Sequence, residues 1–323
     1  EAVFTANQAL AALLESLGVR PAAVVGHSTG EHSALLAAGV VTVRDEAELR
    51  AHVLGVNGVY EQLQASSGIP EGMLLATGGI DIGVLKRLVE SANGRVHIAM
   101  DNCPHQVVLC GTREAIASLQ QPLREHRAIC QELPFARAYH TPWFEVFCKP
   151  LRAYFDQVTV TAPAGVDVYS CVTASTFPAD PDAVRELVSR QWAKSVRFRE
   201  TIEAMYRDGV RIFIEAGPRA NLTGFIDDIL RGRDYTAIAS NVPHRPGTTQ
   251  VNHLVGQLVA HGVPVNVARL YQHRAPSVVD LHRPALVAVR PRLKLKTGLQ
   301  PMRLPGGWQP AAGSRQHRAG YST

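Results

Sequence analysis

Residues 26 to 31 read Gly26-His27-Ser28-Thr29-Gly30-Glu31, between the apolar run Ala22-Ala23-Val24-Val25 and an Ala/Leu-rich stretch from His32 to Ala38. That order is strand, sharp turn, helix. A serine on such a turn stands at the end of a strand with its hydroxyl exposed to a substrate. Gly26 and Gly30 flank it as a tight turn between strand and helix requires. The N–H of Thr29 falls at a helix N-terminus, where it can stabilise an oxyanion. The bland alternative is a surface turn with an ordinary N-cap serine; the strand before and the helix after weigh against it.

The chain is long enough, at 323 residues of which 46% are apolar, for one large body and a smaller one. Residues 5 to 17 carry Leu10, Leu13, Leu14 and Leu17 on one helical face, and a second long helix spans about 44 to 64. Residues 71–135 then alternate as β-α-β-β-α-β: strands at 73–76, 96–100, 106–109 and 128–130, helices at 82–91 and 114–125. This is the ferredoxin-like order. A return strand is expected at Phe135–Tyr139, then a strand at 166–169, helices at 182–191 and 198–208, a strand at 211–215 and a helix at 249–261. The fold class is therefore α/β. An α/β-hydrolase-like body with a parallel sheet (1–70 and 136–265) carries an inserted ferredoxin-like (βαββαβ) small subdomain.

From 266 to 323 the text is Pro- and Arg-rich and has lost periodicity, which reads as a linker. It holds Arg283, Arg290, Arg292, Lys294, Lys296, Arg303, Arg315 and Arg318, so it accounts for the net charge of +5. It lacks interleaved aromatics and any nucleic-acid module, so no nucleic-acid partner is expected. No apolar run reaches the roughly 20 residues needed to cross a bilayer. The five cysteines are scattered, without metal spacing or a disulfide pattern. A cytoplasmic protein with reduced thiols and no metal is expected. The abrupt start, Glu1-Ala2-Val3-Phe4, reads as the start of an excised piece of a longer protein.

A nucleophilic serine needs a base. His27 is adjacent in sequence but poorly placed to take the serine proton. His140, where the body resumes after the insertion, is the better candidate. No acid between the two suggests a third triad member, so a dyad is expected.

These residues resemble the malonyl-type acyltransferases: the acyltransferase domains of type I polyketide and fatty acid synthases and the free-standing acyl-carrier-protein transacylases. Gly26-His27-Ser28-Thr29-Gly30-Glu31 is similar to their serine signature. Asn102-Cys103-Pro104 through Gly111, Tyr139-His140-Thr141-Pro142, Trp192 with Val196-Arg197-Phe198, and Glu215-Ala216-Gly217-Pro218 follow in the family's order. The resemblance covers roughly residues 1 to 265. It implies that Ser28 is acylated from a coenzyme A thioester with His140 as base and Thr29 in the oxyanion site. No cofactor is held permanently, and the acyl group passes to the phosphopantetheine thiol of an acyl carrier protein. His140 would be oriented by a backbone carbonyl around Pro218 to Leu222. A ketosynthase domain would neighbour the domain, no membrane partner is implied, and the tail would be a post-acyltransferase linker.

Five further residues are assigned to substrate binding by the same resemblance: His27, Asn57, Asn102, Arg137 and Tyr139. The family carries an arginine about 25 residues after the serine for the malonyl carboxylate, and its planar fork suits that bidentate contact. Here the matching position holds Asn57; Arg50 lies about two turns earlier, about 10 Å along the axis. Arg137-Ala138-Tyr139-His140 resembles the malonyl form of the selectivity segment, and Arg137 is a candidate for the missing charge. Malonyl motifs without the arginine resemble iterative enediyne-type synthases. The competing expectations are a serine hydrolase or editing thioesterase, transfer of an uncharged acetyl group, and a non-catalytic docking module.

Overall fold

The computed structural model describes residues 2–66, 68, 70–274 and 282. Residues Glu1–His273 form one compact unit. Most of the segment read as a linker, from 275 onward, lies outside the described residues apart from 282. Its expected start at 266 is corrected. Val267–Tyr271 form a 3-10 turn, Asn266 N–H donates to Leu17 O at 2.7 Å, and Leu270 packs in the cluster around Leu17 and Leu254.

The body opens with α1 (Ala2–Ser16), β1 (Ala23–Val25), α2 (Gly30–Ala37) and α3 (Glu46–Ala65). The insert follows as β2 (Met73–Gly78), α4 (Ile82–Ser91), β3 (Val96–Cys103), β4 (Gln106–Gly111), α5 (Arg113–Glu125) and β5 (Ile129–Glu132). The body then resumes with a 3-10 turn (Pro142–Phe147), α6 (Cys148–Phe155), β6 (Asp167–Ser170), β7 (Ser175–Thr176) and α7 (Pro181–Arg190). It ends with α8 (Phe198–Arg207), β8 (Ile212–Glu215), α9 (Asn221–Ile229), β9 (Thr236–Ala239) and α10 (Gly247–Ala260).

Side-chain caps set several helix starts. Asp45 accepts from Glu48 N, Asp81 from Val84 N, Thr112 from Ala115 N, and Asp180 from Ala183 N with Pro181 at the first turn. Each cap satisfies a backbone donor that a helix start would otherwise leave open.

In the body, β1 pairs with β6 in parallel and β8 with β9 in parallel. The insert sheet is antiparallel with the order β3-β4-β2-β5. Side chains alternate across a strand, and both faces of the central strands β2 and β4 are covered. Leu75, Val107 and Leu109 face Leu85, Ile116, Leu119 and Leu123 of α4 and α5. Leu74, Val108, Cys110 and Ala99 face Leu35, Phe144 and Phe147 of the body. Burial on both sides explains why these strands are nearly continuous apolar runs. Beyond β3, Asp101 N–H donates to Val196 O at 2.8 Å and Val196 N–H to Ala99 O at 2.9 Å, tying the insert to the segment before α8.

The return strand expected at Phe135–Tyr139 does not form. These residues are loop, because Pro134 follows closely on the exposed strand β5 and Ala138 N–H turns away to Pro70 O at 3.1 Å. Among the described residues no helix is long and apolar enough to cross a membrane, and no group of three His, Cys, Asp or Glu could hold a metal.

Candidate active site

Ser28 sits between the end of β1 and the start of α2 with φ 55°, a left-handed conformation that costs a non-glycine residue of order 1–3 kcal/mol. Gly26 makes the turn possible: a Cβ there would lie 2.0 Å from Glu31 N and from Gly30 C. The helix behind the turn leaves first-turn donors open, and among the described residues no backbone acceptor takes up the Thr29 N–H.

His140 reaches the serine from the loop after the insert, also left-handed at φ 59°. Ser28 Oγ and His140 Nε2 are 2.7 Å apart. On the other edge of the ring, Nδ1 faces two carbonyls, Gln191 O and Lys194 O, each at 3.2 Å. Carbonyls only accept, so Nδ1 carries the proton and Nε2 presents a lone pair to the serine hydroxyl. Burial, with the nearby His27 adding to it, lowers the His140 pKa to about 4. The imidazole is therefore neutral at physiological pH and can act as a base. The expected orienting carbonyl near Pro218–Leu222 is thus corrected to Gln191 and Lys194. That loop instead leads into α9, where Glu215 Oε2 accepts from Thr223 N and Oγ1 at 2.7 Å each.

His27 points away from the serine hydroxyl. Its Nε2 donates to Asn102 Oδ1 at 2.7 Å, and Asn102 Nδ2 donates to Gln106 Oε1 at 2.9 Å. Its ring packs edge-on to Phe198, with centroids 5.4 Å apart. Burial lowers its pKa, so it is a neutral wall of the site. The β3–β4 hairpin that delivers Asn102 is held against α9 by His105 Nδ1 and Asp228 Oδ1 at 2.7 Å.

This chain matches the family of acyl transferase domains over residues 1–267. It belongs to that family. It is 28% identical to the malonyl CoA-acyl carrier protein transacylase of Bacillus subtilis, over 71% of each chain. It is 28% identical to a phenolphthiocerol synthesis type I polyketide synthase of Mycobacterium marinum, over 87% of this chain and 13% of that one. It thus spans about an eighth of that synthase's length. Among solved structures, the acyltransferase domain from the second module of the salinomycin polyketide synthase matches with a TM-score of 0.71 and 28% identity, covering 85% of this chain and 63% of that one. The acyltransferase domain of the iterative polyketide synthase in enediyne biosynthesis matches in fold at 22% identity and a TM-score of 0.67, over 83% and 67% of the two chains.

Within this acyl transferase domain the remaining candidates are spread out. The Tyr139 hydroxyl meets Tyr60 of α3 at 2.8 Å, and its ring tilts against Phe144 and Trp192. Burial and Tyr60 together push its phenol above the ordinary range. Arg137 leans outward: its Nη1 lies 3.9 Å from Glu71 and donates to Ala136 O at 3.3 Å. Strand alternation does not orient Arg137, because no strand forms there. Asn57 is half-buried on α3, one turn before Tyr60, while Arg50 is exposed.

Sequence reasoning missed the residues that brace the Ser28–His140 contact. Gln191 and Lys194 act through backbone oxygens, which any residue type supplies, so only their closeness to Trp192 hinted at them. Glu31 was read only as part of a signature. It is 2% exposed and accepts from Cys171 N at 2.6 Å and Ser170 Oγ at 3.1 Å.

Proposed function

We propose that this domain takes a malonyl unit from malonyl-CoA onto Ser28 and passes it to the phosphopantetheine thiol of an acyl carrier protein. The observation that carries the reading is the 2.7 Å contact between Ser28 Oγ and an Nε2 whose opposite nitrogen is held by two carbonyls. As Oγ attacks the thioester carbonyl, its proton moves to His140 Nε2. The Thr29 N–H is placed to meet the oxyanion. When the tetrahedral intermediate collapses, the C–S bond breaks and the His140 proton goes to the leaving thiolate. The carrier thiol then gives its proton to Nε2 and attacks the serine ester; as the C–O bond breaks, that proton returns from Nε2 to Ser28 Oγ. His27, next to Ser28 in the turn, and Asn102, which it bonds, are assigned to the acyl end; the roles of Asn57, Arg137 and Tyr139 rest on the resemblance alone.

Several finer readings go with this one. The parallel pairings of the body and the strand order of the insert support an α/β-hydrolase-like body with a ferredoxin-like subdomain. A ketosynthase neighbour, a cytoplasmic setting and an iterative, enediyne-type polyketide synthase are proposals that rest on the type of relative and the missing arginine. A second reading, transfer of an uncharged acetyl group, is favoured by Asn57 where a carboxylate-binding cation was expected.

Incubating the full chain with labelled malonyl-CoA or acetyl-CoA, with and without a carrier protein, tests these readings. A label on the Ser28 peptide that moves to the carrier thiol, and is lost in Ser28→Ala, is the expected result. Rapid release of free acid without a carrier would establish a hydrolase instead. No label from either donor would remove the transfer reading.

A further inference from the structure

Glu31 is a buried carboxylate with no cation against it among the described residues, and a charge in that position needs donors. Two come from the end of β6: Cys171 N–H and Ser170 O–H, both to Oε1. The third comes from Gln191, which is 3% exposed. The inner end of the Gln191 amide faces only acceptors, so its nitrogen must lie there. That nitrogen is 3.1 Å from Glu31 Oε2 and 3.3 Å from the backbone oxygen of Ser28. The same residue's own backbone oxygen accepts from His140 Nδ1. Gln191 therefore touches the peptide of the nucleophile with its side chain and the ring of the base with its main chain. Both Ser28 and His140 hold left-handed conformations, which persist only where surrounding contacts over-determine them.

We propose that Glu31 and Gln191 are positioning residues that form a clamp: Gln191 sets the spacing of Ser28 and His140, and Glu31 anchors the Gln191 amide to the end of β6. This rests on the reading of Ser28 and His140 as the reacting pair. Neither clamp residue exchanges a proton with the substrate. The clamp needs Glu31 as an acceptor. Burial raises its pKa to about 7, so protonation near neutrality puts an O–H against the Gln191 N–H and loosens the hold. The titratable partner of Glu31 across the contact is Cys171, whose thiol burial keeps well above its ordinary pKa and hence neutral. His140 titrates at about 4, so it is already a free base through this range.

The test uses the full chain as wild type, Glu31→Gln and the exchange E31Q/Q191E. Readouts are acylation of Ser28 by malonyl-CoA and acetyl-CoA between pH 5.5 and 8.5, labelling by a fluorophosphonate, and Tm. The wild-type rate should rise with pH through about 7. E31Q places two amide donors face to face, so its rate should fall about 100-fold, as a displacement of order 1 Å does, and lose that pH step. The exchange restores one N–H···O contact between positions 31 and 191 but puts an acceptor against Ser28 O. It should recover part of the Tm lost in E31Q and leave the rate low.

Wild-type rate and pH profile in E31Q would overturn the clamp. So would recovery of rate together with Tm in the exchange, which would mark a packing role alone. The fluorophosphonate needs the reacting pair but no thioester, so it reads the clamp even if neither donor is a substrate. A wild type that neither donors nor fluorophosphonate label would overturn the reacting pair itself.

Discussion

Trp192 lies nearly parallel to the imidazole of His140, with ring centroids 5.6 Å apart and planes 14° apart. The indole also touches Tyr139 and Phe147, so the imidazole stands on an aromatic floor. Trp192→Phe should keep the floor and slow Ser28 acylation only a few-fold. Trp192→Ala should destabilise the domain by about 3–5 kcal/mol. Thermal melts beside acylation rates check this; equal Tm for the wild type and the Ala variant would refute it.

His140→Gln keeps much of the shape but supplies no base. Acylation of Ser28 should fall by about 100- to 10,000-fold, the usual worth of a positioned general base. A stopped-flow or quench assay with the acyl-CoA donor measures it, and a loss under about tenfold would point to another base.

Gly26→Ala has no room. The added carbon runs into the Gly30–Glu31 peptide at 2.0 Å, and backbone there cannot rotate aside as a side chain can. A loss of more than about 3 kcal/mol is expected, with no labelling of Ser28 by fluorophosphonate. Retained labelling would show that the turn relaxes.

Buried histidines set the acid limit of stability. Folding lowers the pKa of His140 to about 4 and of His32, paired with His52, to about 3, both from 6.5. Between pH 6.5 and 4.5 the unfolded chain binds these two protons and the folded chain does not. Glu31 opposes them, since its folded pKa of about 7 lies above its ordinary 4.5 and the folded chain holds that proton. These three groups alone leave one proton toward the unfolded state, about 1.4 kcal/mol per unit, and His27 and His52, which burial also lowers, add in the same direction, so stability falls as pH falls. His32→Asn removes one histidine and should flatten this slope. Chemical denaturation at pH 4.5, 5.5 and 6.5 measures it; an unchanged slope would refute the assignment.

Much of this was legible in local sequence. The serine turn was readable because Gly26 and Gly30 flank it tightly, and α4 and α5 because Asp81 and Thr112 cap them. The return strand at Phe135–Tyr139 was misread because alternation alone does not supply a pairing partner. Helices α6 and α9 and strand β9 carry no signal of comparable strength and went unread. His140 was singled out and does meet Ser28, but what aims its ring was not read. The carbonyls at Gln191 and Lys194 are 51 and 54 residues from His140, and no side-chain pattern announces a backbone acceptor at that range.

Asn57→Arg tests the acyl group's far end. An arginine one turn before Tyr60 would offer a charge-assisted bond to a malonyl carboxylate, of about 1.5–3 kcal/mol. Malonyl-over-acetyl selectivity should rise about tenfold or more. Unchanged selectivity in competition assays would show that α3 does not present this position to the acyl group.

Ser28 and His140 are 112 positions apart, and the insert from Met73 to Glu132 occupies more than half of that interval. Once the insert has closed on its own sheet, the slack that must be gathered to bring serine to histidine is roughly halved, easing closure by about 0.6 kcal/mol. Chemical reactivity is therefore a late event in the folding of this chain. During refolding from denaturant, the appearance of a labelled serine reports that the insert has closed and docked, well after helical signal has returned.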